Sequence, residues 1–231
     1  MASGGGKDEG RRPVVGHGAG GNAGRGHDNG SSVTPCFTPG TLIATPRGEV
    51  AVELLQVGDR VVTRDNGMQD IRWIGRRHLG WPAMNAHPHL RPILIRKGSL
   101  GEGLPERDTM VSPNHRLLVS NERTALYFAE AEVLVAAKHL VGGRAVTEVE
   151  IAGVIYIHFL CDRHEVVLAN GAWTESFQPT DWSLKGIGNS QRNEILELFP
   201  ELRRPDAPGF SPVRRMLTRT EALGVQPKPA T

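Results

Sequence analysis

Pro35-Cys36-Phe37-Thr38-Pro39-Gly40-Thr41-Leu42-Ile43-Ala44-Thr45-Pro46 is the stretch on which the reading turns. Before it, residues 1–34 carry eleven glycines ahead of Ser31, mixed charges and almost no large apolar side chains. A segment of that kind buries too little surface to offset the entropy of ordering it, so it reads as a disordered leader. After the stretch, short β-type runs follow one another. The first reactive side chain of the folded part is therefore Cys36, at its opening edge. A cysteine so placed invites attack on the peptide bond immediately before it, Pro35–Cys36.

The pattern from Thr41 onward is that of an all-β fold. Thr41–Thr45 and Val50–Leu54 flank Pro46-Arg47-Gly48, a hairpin signal. Asp65-Asn66-Gly67 is a tight turn between Arg60–Arg64 and the alternating run Gln69–Ile74, because Asn and Gly tolerate positive φ. Further runs lie at Arg91–Ile95, Met110–Val111, Arg116–Val119, Val133–Val135, Val146–Glu150, Val154–Leu160 and Glu165–Ala169. Helical spacing is nearly absent from this region. Many short strands with turns at steady intervals predict a sandwich or barrel-like architecture. Beyond Trp182 the pattern becomes helical: Arg192–Phe199 is closed by Pro200, and Ser211-Pro212 reads as a cap opening a helix through Leu223. The expected organisation is a leader over 1–34, a β domain over 35–180 and a helical or irregular tail over 181–231.

Composition bounds the rest. The 231 residues suffice for a sizeable core, and the net charge of +2 with interspersed signs gives no nucleic-acid footprint. No run approaches the ~18 apolar residues of a membrane span, and no apolar core marks a secretory signal. The expectation is neither nucleic acid nor membrane as partner, with the cytoplasm as default location and export by a non-classical route left open. Two cysteines, Cys36 and Cys161, make no disulfide framework, although a single bridge between them is permitted by count. Cys161 follows the apolar run Ile157-His158-Phe159-Leu160 and reads as buried without chemistry. His78 with His87-Pro88-His89 invites a zinc reading, but no second cluster has ligand spacing, so a solvated loop is expected, with no metal and no cofactor. His17 and His27 read as solvated leader histidines.

The chemistry of Cys36 is definable from its position. Attack of its sulfur on the preceding carbonyl is an N-to-S acyl shift, with nucleophile and electrophile adjacent on the chain. The leaving amine must gain a proton, and an imidazole is the side chain suited to supply it near neutrality. Ser112-Pro113-Asn114-His115 offers a hydroxyl and an imidazole on one loop. The competing reading of Cys36 is a packed, inert small hydrophobe.

Four motifs occur in order: Cys36-Phe37-Thr38-Pro39-Gly40-Thr41, Leu54-Leu55-Gln56-Val57-Gly58-Asp59-Arg60-Val61, Ser112-Pro113-Asn114-His115 and Leu168-Ala169-Asn170-Gly171. Together they resemble the Hint family of hedgehog autoprocessing domains and inteins, in particular its bacterial members, over roughly Pro35 to Gln178. The resemblance implies a pseudo-symmetric, horseshoe-like β fold and self-cleavage through a thioester at Cys36, with His115 and Ser112 polarising the scissile amide. The leader would be the substrate, and water or a small external thiol or amine would resolve the thioester. The family usually has threonine where Ser112 stands. Inteins that splice end this fold with a His-Asn pair; Glu175 and Ser176 occupy those places, so carboxy-terminal cleavage and full splicing are not expected. His164 lies close before that block and is a candidate assisting histidine. Hedgehog domains place a sterol-activating aspartate where Arg76 falls, so sterol transfer is not expected either. Pro35 makes the acyl shift slow, because its carbonyl receives electron density from the carbonyl before it. A non-catalytic interaction module that retains the fold is the alternative.

Overall fold

The computed structural model describes Met1, residues 34–203 and residues 210–225. The glycine-rich leader with His17 and His27, and the last six residues, lie outside the described residues. Strands dominate. β1 (Leu42–Thr45) and β2 (Gly48–Ala51) form the hairpin expected around Pro46-Arg47. β3 (Arg60–Val62) and β4 (Met68–Asp70) pair across the Asn66-Gly67 turn, where Gly67 takes φ +65°. β5 (Trp73–Gly80) leads into the short helix α1 (Trp81–Ala86), followed by β6 (Ile93–Ile95), β7 (Thr109–Val111) and β8 (Arg116–Val119). Then come α2 (Glu122–Phe128), β9 (Val133–Ala136), α3 (Ala137–Leu140), β10 (Val146–Glu148), β11 (Gly153–Leu160), β12 (Val166–Ala169) and β13 (Ala172–Glu175). The carboxy-terminal part holds α4 (Asp181–Gly186), α5 (Asn189–Leu198), β14 (Arg215–Met216) and α6 (Arg219–Val225).

A seven-stranded sheet runs β14-β9-β8-β13-β12-β1-β2, beside a three-stranded sheet β10-β6-β7 and the pairs β11-β5 and β3-β4. The long antiparallel pair β5–β11 matches residue for residue from Trp73↔Leu160 to Gly80↔Gly153. Phe37 bridges both Val111 and Ile157, so the cysteine segment is itself a short strand wedged between β7 and β11. One apolar cluster gathers Phe37, Ile43, Val61, Ile71, Phe159 and Val167. Another joins β5 and β11 to the tail through Trp73, Leu160, Phe177, Leu184, Ile195 and Phe199. The tail therefore packs on the β domain through ordinary apolar burial.

Several expectations are corrected. Val50–Leu54 is not one strand, since β2 ends at Ala51 and a 3₁₀ turn spans Val52–Leu54. The run Gln69–Ile74 breaks at Ile71-Arg72, where the chain changes partners: Ile71 N donates to Asp59 O, and Arg72 N already donates to Leu160 O in β11. Three short helices, α1 to α3, interrupt the β region. They span four to seven residues, too few for a helical period to show in sequence. No helix begins at Ser211. Arg215–Met216 instead pairs in parallel with Val133–Leu134, and the helix opens only at Arg219.

Candidate active site

The register of one short bridge builds the site. In antiparallel pairing, Phe37 opposite Ile157 sets Cys36 opposite His158, and Phe37 opposite Val111 sets Cys36 opposite Ser112. Residues so opposed share a face. Two backbone bonds lock the first pairing, Phe37 N to Ile157 O at 2.7 Å and Ile157 N to Phe37 O at 2.9 Å. Ser112 N donates to Cys36 O at 3.0 Å and fixes the second.

The consequence is a tight cluster at the Pro35–Cys36 junction. The Cys36 amide N–H, part of the Pro35–Cys36 peptide bond, donates to Ser112 Oγ at 2.8 Å. Ser112 Oγ in turn donates to the Thr34 carbonyl at 2.8 Å. The thiol donates to Thr34 O at 3.1 Å and lies 3.3 Å from His158 Nδ1. Cys36, Ser112 and His158 are all buried. Burial pushes the Cys36 thiol well above its ordinary value, against a smaller lowering by the Ser112 bond and the Arg77 charge. Burial first, and Arg77 second, depress His158 to about 3, so its ring is neutral near pH 7. At neutral pH the two rest as a neutral thiol beside a neutral imidazole.

His158 itself is clamped. Gly75 faces it in β5, and a Cβ there would stand 2.5 Å from His158 Nε2 and 2.3 Å from the Trp73 ring. Only a glycine allows the ring this place. Trp73 and Phe177 flank it at centroid distances of 5.1 and 5.3 Å. Thr34, Cys36, Arg77, Tyr156, His158 and Ile187 are among the walls of a chamber that leaves 10 Å³ for the centre of a water molecule, about the least that one water requires.

His115 lies on the other side of the cysteine strand, the side to which Phe37 points; their ring centroids are 4.5 Å apart. It begins no hydrogen bond to the junction. Thr174 Oγ1 donates to Arg116 O, so at the close contact between His115 Nε2 and Thr174 Oγ1 the imidazole is the donor. His115 Nδ1 then carries the lone pair, buried and without a hydrogen-bond partner. Burial, with Arg116, lowers His115 to about 4 despite Glu175. The backbone links it to the site, since His115 N donates to Ser112 O at 3.0 Å and closes the Ser112-Pro113-Asn114-His115 turn.

His164 stands apart, 3.3 Å from Glu175 Oε2, with its Nδ1 accepting from Val213 N at 3.4 Å. Glu175 is fully buried, and burial opposes its charge. Arg116, through two bonds from its side chain and one from its amide, together with His164 and His115, outweighs that and holds the carboxyl below its ordinary range. Ser176 Oγ accepts from Glu165 N at 2.9 Å. Cys36 and Cys161 are both free and buried. His87 and His89 pack edge to face at 5.6 Å, and among the described residues no group of three or more His, Cys, Asp or Glu side chains is placed to hold a metal. No described helix is long and apolar enough to cross a membrane.

The sequence did not single out His158. A signal existed, because an imidazole inside the eight-residue strand Gly153–Leu160, between Ile157 and Phe159, is a polar group buried at a cost unless it has a partner.

The Hint domain profile matches residues 35–181, beginning one residue before the cysteine. The chain belongs to the Hint domain family. Members of this family are self-processing proteins. A class 3 split intein, AceL NrdHF in a splice-inactive variant, is similar at a TM-score of 0.41 and 12% identity, covering 63% of this chain and 99% of that one. A bacterial intein-like domain from Clostridium thermocellum is similar at a TM-score of 0.40 and 20% identity, covering 62% and 97%. A DnaB intein from Synechocystis sp. PCC 6803 is similar at 0.36 and 10% identity, covering 62% and 99%. A search of curated proteins found no match. The Hint domain here is a mostly β structure with helices at its carboxy-terminal side.

Proposed function

We propose that this Hint domain cleaves its own chain at Pro35–Cys36 by an N-to-S acyl shift. The observation that carries the reading is the double hold on Cys36: its thiol lies 3.3 Å from His158 Nδ1 while its amide N–H rests on Ser112 Oγ at 2.8 Å. The thiol proton passes to His158, and the sulfur bonds to the Pro35 carbonyl carbon. The carbon–nitrogen bond to Cys36 then breaks, and the proton returns to the freed amine, beside which the Ser112 hydroxyl stands. Residues 1–35 are left as a thioester on Cys36, which water or a small external nucleophile resolves. Ser112 aligns the junction by holding the Cys36 amide and the Thr34 carbonyl at once. His115, at the far end of the same turn, braces that turn and offers the unbonded Nδ1.

At the opposite end of the domain, Glu175 is tied to Arg116 and Ser176 to Glu165, and neither side chain is an amide able to cyclise. Cleavage after the domain and full splicing lie outside this reading. The inert-module reading draws on two features. The thiol is strongly disfavoured as thiolate, and both it and Ser112 touch the Thr34 carbonyl, one residue before the scissile one.

Intact mass decides between them. Freshly purified protein incubated near pH 8 with dithiothreitol is expected to lose residues 1–35, faster than without thiol, and the Cys36→Ala protein is expected to stay whole. Full-length mass persisting for days with thiol would favour the inert module.

A further inference from the structure

The wall between the Cys36 chamber and solvent is shared with a second, open cleft. Arg77, Gly186 and Ile187 line both, and Arg77 Nη1 donates to the Gly186 carbonyl at 2.9 Å across the divide. The outer cleft has a volume of 510 Å³, in the range of small-ligand sites. Its walls hold Arg76, Arg77, His78 and Lys185, with Ser190 and Gln191 from the first turn of α5, and no carboxylate. Arg76 Nη2 donates to the Glu53 carbonyl at 2.9 Å, so its contact, like that of Arg77, is to a neutral oxygen. Among the described residues no ion pair neutralises Arg76, Arg77 or Lys185. Glu194, one turn further along α5, accepts from Trp73 Nε1 at 2.9 Å through one carboxylate oxygen and from the lining Ser190 hydroxyl at 3.5 Å through the other.

We infer that this cleft binds the acceptor that resolves the Cys36 thioester, and that the acceptor is a small thiol or primary amine bearing an anionic group. Uncompensated cations in a concave site concentrate anions, and low-dielectric walls strengthen the effect. The cleft meets the Cys36 chamber at the wall that Arg77, Gly186 and Ile187 share, so an acceptor held there by Arg76 and Lys185 is held on the far side of that wall from Cys36. In the transfer, the acceptor sulfur or nitrogen bonds to the acyl carbon and the carbon–sulfur bond to Cys36 breaks. The acceptor's proton goes to the Cys36 sulfur, and residues 1–35 leave joined to the acceptor.

The inference rests on thioester formation at Cys36, so its test has two arms. In the native chain, 2-mercaptoethanesulfonate and 2-mercaptoethanol are compared at equal thiol concentration, with release of residues 1–35 read by mass. The sulfonate is expected to act about 10-fold faster and to saturate. An Arg76→Glu/Lys185→Glu double variant is expected to abolish that preference while keeping cleavage by dithiothreitol. Equal, unsaturated rates for the two thiols in the native chain would overturn the inference. In the second arm the Cys36→Ala chain is titrated with 2-mercaptoethanesulfonate and followed by NMR. Saturable shifts at Lys185–Gln191, lost in the charge-reversed variant, are expected, and their absence would also overturn it. If dithiothreitol releases nothing from the native chain, the cleavage reading fails, and the titration alone then decides whether the cleft is an anion site.

Discussion

Acid is expected to unfold this domain through two buried imidazoles before it touches the carboxylates. His115 falls from an ordinary 6.5 to about 4 and His158 from 6.5 to about 3, each through burial first. In the unfolded chain both titrate near their ordinary value. Above that value neither state is protonated and the stability is fully present. As pH falls below it, the unfolded chain takes up protons that the folded chain refuses, and stability drains away until the folded values are reached. Between pH 7 and pH 5 each ring costs about 2 kcal/mol, so the pair costs about 4 kcal/mol. That is a large share of the ~5–15 kcal/mol that holds a typical domain together. Glu165, raised by burial, acts in the opposite sense as pH falls and offsets part of the loss. The assay is urea unfolding of the reduced Cys36→Ala chain, followed by tryptophan fluorescence at pH 7, 6 and 5. Introducing His158→Gln is expected to halve the pH dependence, whatever it does to stability at pH 7. A change below about 1 kcal/mol between pH 7 and 5 would refute the placement of both rings as sealed and neutral.

Three further outcomes follow from the geometry. His158→Gln removes the imidazole at the thiol and is expected to slow release of residues 1–35 by about 10²-fold or more, whereas His115→Gln, acting through the Ser112 turn and Phe37 packing, slows it less; the reverse ranking by mass spectrometry would displace His158 from the proposed proton transfer. Gly75→Ala drives a methyl into His158 Nε2 and the Trp73 ring and is expected to cost about 1–3 kcal/mol in urea unfolding, with a parallel loss of cleavage rate. Glu175→Gln leaves Arg116 without its charge partner; because Arg116 retains some solvent contact, the expected cost is about 2 kcal/mol at pH 7, below the range for a fully buried pair, and a thermal melt unchanged within error would contradict it.

Much of this protein is legible in its sequence because the signals are local. The Asn66-Gly67 turn, the Pro46-Arg47 hairpin and the alternation of the strands depend on backbone preferences that neighbouring residues reveal. Cys36 announces itself by standing where the composition changes, and the Ser112–His115 turn carries its own proline. The tail helix near Arg192–Phe199 is visible through its apolar spacing. What the sequence cannot show is which residues oppose one another across strands distant in the chain. The pairing of Phe37 with Ile157 spans more than a hundred residues, yet it sets His158 against the thiol, while the pairing of Phe37 with Val111 brings the Ser112–His115 turn to the cysteine. The same holds for Arg215–Met216, whose helical spacing yields to the open edge of β9, and for Ile71-Arg72, where a strand changes partner. Local propensity amounts to tenths of a kcal/mol per residue, while buried pairing and packing contribute more, so tertiary context overrides it. Read alone, the residues settled the β character and the cysteine at the domain's edge. Only the tertiary structure decided which imidazole meets the sulfur, because a one-residue difference in register moves a side chain to the opposite face of a strand.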